Sequence, residues 1–247
     1  MLTSIRGLMA ATVLTGCLFT TPALAQETGD FTVSGNATLV TDYRFRGISL
    51  SGGDFAVQGG VDVAHASGVY IGTWASSLED SAVYGNAELD IYAGWTGPVG
   101  EGVALDVGVL YYAYPNGKDP LIPANVWEPY ASISADIGPA SVTVGGAYAW
   151  DQDSLGGDDN LYLYTDLGLG VPDTPVSLSA HLGYTDGALS PEVLTGSGTG
   201  GGFDWSLGAS FAATENLTLG VSYIGAEGAN IDSFSNDAIV ASIGVAF

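Results

Sequence analysis

Cations are what this 247-residue chain has least of: four Lys and Arg stand against 27 Asp and Glu, a net charge of −23. Recognition of nucleic acid through a basic patch is thereby excluded. Cysteine is almost absent too, and the single Cys17 falls in the first 25 residues. If that segment is removed, disulfides, thiolate catalysis and cysteine metal sites are excluded with it. Beyond residue 25 no run approaches eighteen consecutive apolar residues, so no helix is predicted to cross a membrane. Charge of either sign is scarce, at 13% of residues, yet 47% are hydrophobic and 37 are Gly. A disordered acidic chain would lack those aliphatic and aromatic side chains.

The first 25 residues carry one cation, Arg6, then an apolar stretch from Gly7 to Phe19, then Ala23-Leu24-Ala25. That is the pattern of a secretory signal peptide cleaved after Ala25, leaving residues 26–247 as one mature unit. Leu14-Thr15-Gly16-Cys17 offers a second reading, a lipoprotein box that would lipidate Cys17. Against it, Leu18 to Ala23 continues the apolar stretch without opening a polar tail.

Within residues 26–247 the recurring signal is alternation with period two. Phe31, Val33, Gly35, Ala37, Leu39, Thr41, Tyr43 and Phe45 share one face, and Thr32, Ser34, Asn36, Thr38, Asp42 and Arg44 the other. Nine further segments alternate in the same way, the last running Ile239, Ala241, Ile243, Val245 and Phe247. Runs 68–76 and 127–137 are extended but less cleanly faced, which brings the expectation to about twelve strands. The connections alternate long and short. Long ones are expected near 46–54, 77–86, 115–126, 151–159, 186–201 and 225–237, and short turns between them. An antiparallel transmembrane β-barrel has this asymmetry, whereas a Greek-key sandwich has no cause for it. Tyr43, Phe45, Trp74, Tyr111, Tyr148, Trp150, Tyr184, Trp205 and Tyr223 are expected at one rim and Phe31, Trp95, Phe211 and Phe247 at the other. The fold class is therefore all-β, an outer-membrane barrel, with Phe247 ending the last strand as a signal for the barrel-assembly machinery.

The string Asp42-Tyr43-Arg44-Phe45-Arg46-Gly47-Ile48-Ser49 is the most distinctive in the chain. With Gln58-Gly59-Gly60, Gly72-Thr73-Trp74 and Glu88-Leu89-Asp90, it resembles the TorF-family porins of proteobacteria. The resemblance covers the mature chain and implies an outer-membrane channel of unassigned substrate, with no site residues to carry over.

Chemistry is sparse. His181, on a polar face with Ser179, Asp166 and Asp204 in the neighbourhood, is the one candidate base besides His65, but no local set supplies nucleophile, base and orienting acid together. An enzyme is not expected, and no cofactor is implied. Asp151, Asp153, Asp158 and Asp159 crowd one loop, but calcium-loop spacing fails at Leu155 and Tyr162. An acidic solvated loop is the simpler reading, with divalent bridging to lipopolysaccharide phosphates left open. The candidate selectivity residues are the polar-face charges Asp42, Arg44, Arg46, Asp62, Glu88, Asp90 and Asp204, joined by Asp106, Asp136 and Asp166. Rings of carboxylates concentrate cations. The expected function is passive diffusion of small hydrophilic solutes with cation preference, in contact with outer-membrane lipid and lipopolysaccharide. Arg44 is expected to face Glu88, Asp90 and Asp204 across the bore. The alternative is a non-conducting structural or adhesive barrel with acidic loops.

Overall fold

The computed structural model describes residues 26–119, 121–198 and 200–247. The expected cleavage site and Cys17 lie outside them. Alternating apolar and polar residues give each strand one face for an apolar surrounding and one for the interior, and twelve such strands close on themselves. They are β1 (Phe31–Val40), β2 (Ala56–His65), β3 (Val69–Ser81), β4 (Gly85–Gly100), β5 (Val103–Ala113), β6 (Val126–Ile137), β7 (Ala140–Gln152), β8 (Asp158–Gly170), β9 (Val176–Gly187), β10 (Gly201–Ala212), β11 (Leu217–Ala226) and β12 (Ala238–Ala246). Every neighbouring pair is antiparallel, and β12 returns to β1 in the register Ile243↔Leu39. Closure leaves no free edge, as a wall without water at its back requires.

The outward face is apolar along its length. Leu39, Ile71, Ile91, Ile133, Leu163, Leu182, Leu207 and Ile243 are all exposed there. A soluble surface does not carry such a belt, while a bilayer-spanning barrel requires one. Tyr111 and Trp127 stack at 4.3 Å between ring centroids near one rim, with Tyr148, Trp150, Tyr184 and Tyr223 around it. Phe31, Phe211 and Phe247 are exposed at the other.

Connections at one end are turns, such as 66–68 and 138–139; at the other they include 41–55, 114–125, 188–200 and 227–237. Two expected long connections are shorter than the sequence suggests. β3 and β4 remain paired to Ser81↔Gly85, and β7 continues to Gln152 before a 3-10 turn at Asp153–Leu155. One register irregularity in each of those ladders, after Ser77 and after Ala149, lets the strands continue past the belt.

The first strand is shorter than its alternation predicts. It ends at Val40, and the chain bends into the barrel and forms a small hairpin, Arg44–Phe45 against Ile48–Ser49. Tyr43 is therefore buried and packs edge-on against Trp74 at 5.5 Å, and Phe45 meets Tyr112 at 5.8 Å. Neither belongs to the rim. Trp74 faces inward as well, since Tyr70, Gly72 and Ser76 share its side of β3 and are all buried. A hairpin has period two of its own, which is why the pattern runs on past the end of the strand.

The interior is lined by tyrosines that lie across glycines. Tyr92 stands directly opposite Gly72, Tyr70 opposite Gly94, Tyr130 opposite Gly108 and Tyr164 opposite Gly145. At each of these glycines a Cβ would run into the opposing ring. The rings therefore lie along the wall instead of standing across the bore.

Candidate functional site

The site is the interior at the long-loop end, and the hairpin builds it. Arg44 does not point at the carboxylates of the far wall. Its Nε donates to Asp42 at 2.6 Å, and its Nη1 donates to the carbonyls of Gly47 at 3.0 Å and Asn236 at 2.6 Å. Asp42 also accepts from the hydroxyls of Ser49 at 2.5 Å and Ser51 at 3.2 Å. This pair stitches the hairpin to itself and to the 227–237 connection. The Ser49 amide donates to the Phe234 carbonyl at 2.7 Å on the same side.

The guanidinium that crosses to the wall is that of Arg46. Its Nη2 lies 2.8 Å from both carboxylate oxygens of Glu128 on β6. The guanidinium carbon sits 4.1 Å from the Tyr162 ring centroid and 4.6 Å from that of Phe45. Tyr112 donates its hydroxyl to Glu128 at 2.8 Å. Burial would lower the pKa of Arg46, but the Glu128 carboxylate more than offsets it and holds the group charged above its ordinary value. Burial, followed by the field of Glu88, drives the Tyr43 phenol upward, so Tyr43 stays a neutral donor. It reaches Glu88 at 3.3 Å.

Arg46 was expected inside only from its place in the string, and Glu128 was missed altogether. Pro129 interrupts β6, yet Val126, Glu128, Tyr130 and Ser132 all face inward while Trp127, Ala131 and Ile133 face out. Counting from Val126 in steps of two reaches it.

The other expected charges divide into two levels. Glu88 and Asp90, 1% and 0% exposed, lie beneath the hairpin, and Asp204 is buried across the barrel from them. Asp62 and Asp106 are half-buried deeper along the wall, where each accepts from a tyrosine: Tyr92 to Asp62 and Tyr70 to Asp106, both at 2.6 Å. Tyr70 is further hydrogen-bonded to Tyr130. Asp136 lies near the short-turn end of β6 and is exposed. His181 is held between two acids, Nδ1 at 2.6 Å from Asp166 and Nε2 at 3.0 Å from Asp204, with the Tyr162 hydroxyl 2.8 Å from Nε2. Both ring nitrogens are thus occupied by acid partners, leaving neither to take a proton from a serine.

Among the described residues, the buried carboxylates Asp42, Glu88, Asp90, Glu128 and Asp204 face two buried guanidiniums, Arg44 and Arg46, and the His181 imidazole beside Asp204. The interior is short of positive charge even after its ion pairs are made.

A family described as "Bacterial protein of unknown function (Gcw_chp)" matches over residues 24–245. Among solved structures, a NanC porin aligns with a TM-score of 0.60 at 10% identity, covering 87% of this chain and 98% of its own. A KdgM porin gives 0.58 at 10% identity over 87% and 98%. The KdgM porin in complex with disordered oligogalacturonate gives 0.56 at 9% identity over 87% and 97%. At such identities the likeness is one of fold. No curated protein matches.

Proposed function

The chain therefore belongs to the Gcw_chp family, and for this member we propose an outer-membrane porin of a Gram-negative bacterium that passes small hydrophilic solutes with a preference for cations. The observation that carries the reading is the interior charge: five buried carboxylates, with Asp62, Asp106 and Asp166 further along the wall, against two guanidiniums and the one imidazole of His181. A narrow bore with that balance concentrates cations and repels anions. The porin fold of the aligned structures supports a channel, and the resemblance to TorF-family porins belongs to the same reading. So do export on a signal peptide spanning residues 1–25, contact with lipid and lipopolysaccharide, and delivery by the barrel-assembly machinery. The reading includes no catalysis, and His181 has an acid against each ring nitrogen.

Reversal potentials across a planar bilayer in a potassium chloride gradient test the proposal. They should favour cations, and the preference should shrink as salt rises and screens the carboxylates. Anion preference would overturn the reading. One observation favours a second reading, a plugged structural barrel. The hairpin carries Tyr43, Ile48 and Phe45 into the interior, where Tyr43 and Ile48 are 4% and 2% exposed. A folded, heat-modifiable sample without current would assign the protein to that class.

A further inference from the structure

The place that receives Arg46 is built as a binding pocket. Glu128 is 1% exposed, its Oε2 accepts from the Tyr112 hydroxyl, and the Tyr162 ring lies against the bound guanidinium. A carboxylate beside an aromatic face recognises a guanidinium by charge, by planar donors and by the ring quadrupole together. Yet the occupant is poorly satisfied. Nε and Nη1 of Arg46 are buried without an acceptor among the described residues, so one nitrogen of three makes its hydrogen bonds. Its backbone sits at φ +48°, in the left-handed region that a residue with a Cβ adopts at a cost.

The surroundings are equally unfinished. Glu88 Oε2 and both carboxylate oxygens of Asp90 are buried and accept from no donor outside the pair among the described residues, so the two carboxyls are left to each other. Asp90 stands directly opposite Trp74 on β3 and Tyr112 on β5, a carboxylate walled by a ring on each side. Carboxylates cannot be crowded out of water in this way unless a cation or a proton joins them.

We propose that the pocket formed by Glu128, Tyr112 and Tyr162, with Asp90 and Glu88 beside it, binds solutes bearing a guanidinium group, and that Arg46 fills it as a tethered stand-in which such a solute displaces. The inference rests on the porin reading and deepens it, by naming the cation class the lumen favours. Calcium and magnesium take six or more oxygen ligands, which a pocket walled by rings does not supply. An alkali ion has no planar donors to match the Glu128 carboxylate. A guanidinium repeats a contact the pocket already makes. Displacement also frees the hairpin, so the solute that binds loosens what blocks its path. Tethering sets the exchange, because a competitor on the same chain acts at a high effective concentration and weakens apparent affinity.

Calorimetric titration of the full-length, detergent-solubilised protein with methylguanidinium chloride tests this, with sodium chloride at equal ionic strength as the control. Wild type should bind methylguanidinium weakly but saturably. Arg46→Ala, with the stand-in removed, should bind it about tenfold more tightly or better. Adding Glu128→Gln to Arg46→Ala should weaken it again by at least about tenfold, and Asp90→Asn by a smaller factor. Arg46→Lys, which keeps the charge and loses the planar stack, should fall between wild type and Arg46→Ala, and it serves as the comparison should Arg46→Ala fail to fold. Heats indistinguishable from sodium in every variant would overturn the proposal, as would tightened binding that ignores Glu128→Gln. Bilayer currents separate the two readings. Cation-selective current with methylguanidinium behaving as sodium removes the site and leaves the porin. Saturable binding without current removes the porin and leaves the pocket.

Discussion

Replacing Arg46 by alanine while leaving the barrel intact isolates the contact that docks the hairpin. The substitution leaves Glu128 buried with the Tyr112 hydroxyl as its donor and without its counter-charge. Removing one partner of a buried pair costs about 3–5 kcal/mol. The lost contact with the Tyr162 face adds about 1 kcal/mol. The barrel does not absorb that cost, because its strands are held by ladders around the whole circuit. The hairpin does, since its own pairing is two residues against two. The Arg44 contacts with Gly47 and Asn236 remain and keep it partly anchored. If 3 kcal/mol of the cost falls on docking, the undocked population rises by roughly a hundredfold, at about tenfold per 1.4 kcal/mol. Amide hydrogen exchange reads this directly. The Ser49 and Leu50 amides, bonded to Phe234 and Tyr43, should exchange roughly a hundredfold faster, while those of β8 and β9 keep their wild-type rates. Arg46→Ala with Glu128→Gln should recover part of the protection, because no unpaired charge is then buried. Unchanged exchange at Ser49 in Arg46→Ala would refute the argument. So would a double variant no better protected than the single.

Arg44→Ala strands Asp42 and cuts the tether to Asn236, so it should free the hairpin as well and raise single-channel conductance while the barrel stays heat-modifiable; conductance equal to wild type would show that Arg44 does not hold the constriction. Gly72→Leu forces Tyr92 off the wall and away from Asp62, and should lower stability by about 1–3 kcal/mol, read as a lower temperature for the gel shift of the folded form. If residues 1–25 are cleaved as a signal, mass spectrometry of the mature protein should find Gln26 at its N-terminus; an acylated Cys17 would refute that cleavage.

The wall was legible in the sequence because a bilayer and a polar interior impose opposite demands on successive residues. That is why the alternation through Ile239, Ile243 and Val245 translates directly into a strand with one lipid-type face. It also placed Glu88, Asp90 and Asp204 on the inner side. What alternation cannot report is what lies within the wall. Tyr43 and Phe45 continue the pattern of β1, but the strand ends at Val40, and at Thr41 it is the side-chain hydroxyl that accepts from the Ala241 amide, at 2.9 Å. A connection folded into the bore carries the same Gly, Ser and Asp as one that faces water. The clue was charge: two of the three cations beyond residue 25 sit in this one segment, and an interior rich in carboxylates is where they are needed. Glu128 was hidden for a different reason, since Pro129 breaks the visual rhythm of β6 without changing which way its neighbours point.

The tyrosines laid over glycines settle something that alternation leaves undetermined. A strand that slips by one residue turns its apolar side inward and is rejected at once. A slip of two restores the pattern, and neither lipid nor water can tell it from the correct pairing. Inside this barrel the two are not alike. Sliding β4 by two along β3 would set Tyr92 against Tyr70 or Trp74 instead of Gly72, ring against ring where there is room for one. The paired large and absent side chains act as a key cut across neighbouring strands, checked from within, that admits one alignment among those the outer surface would accept.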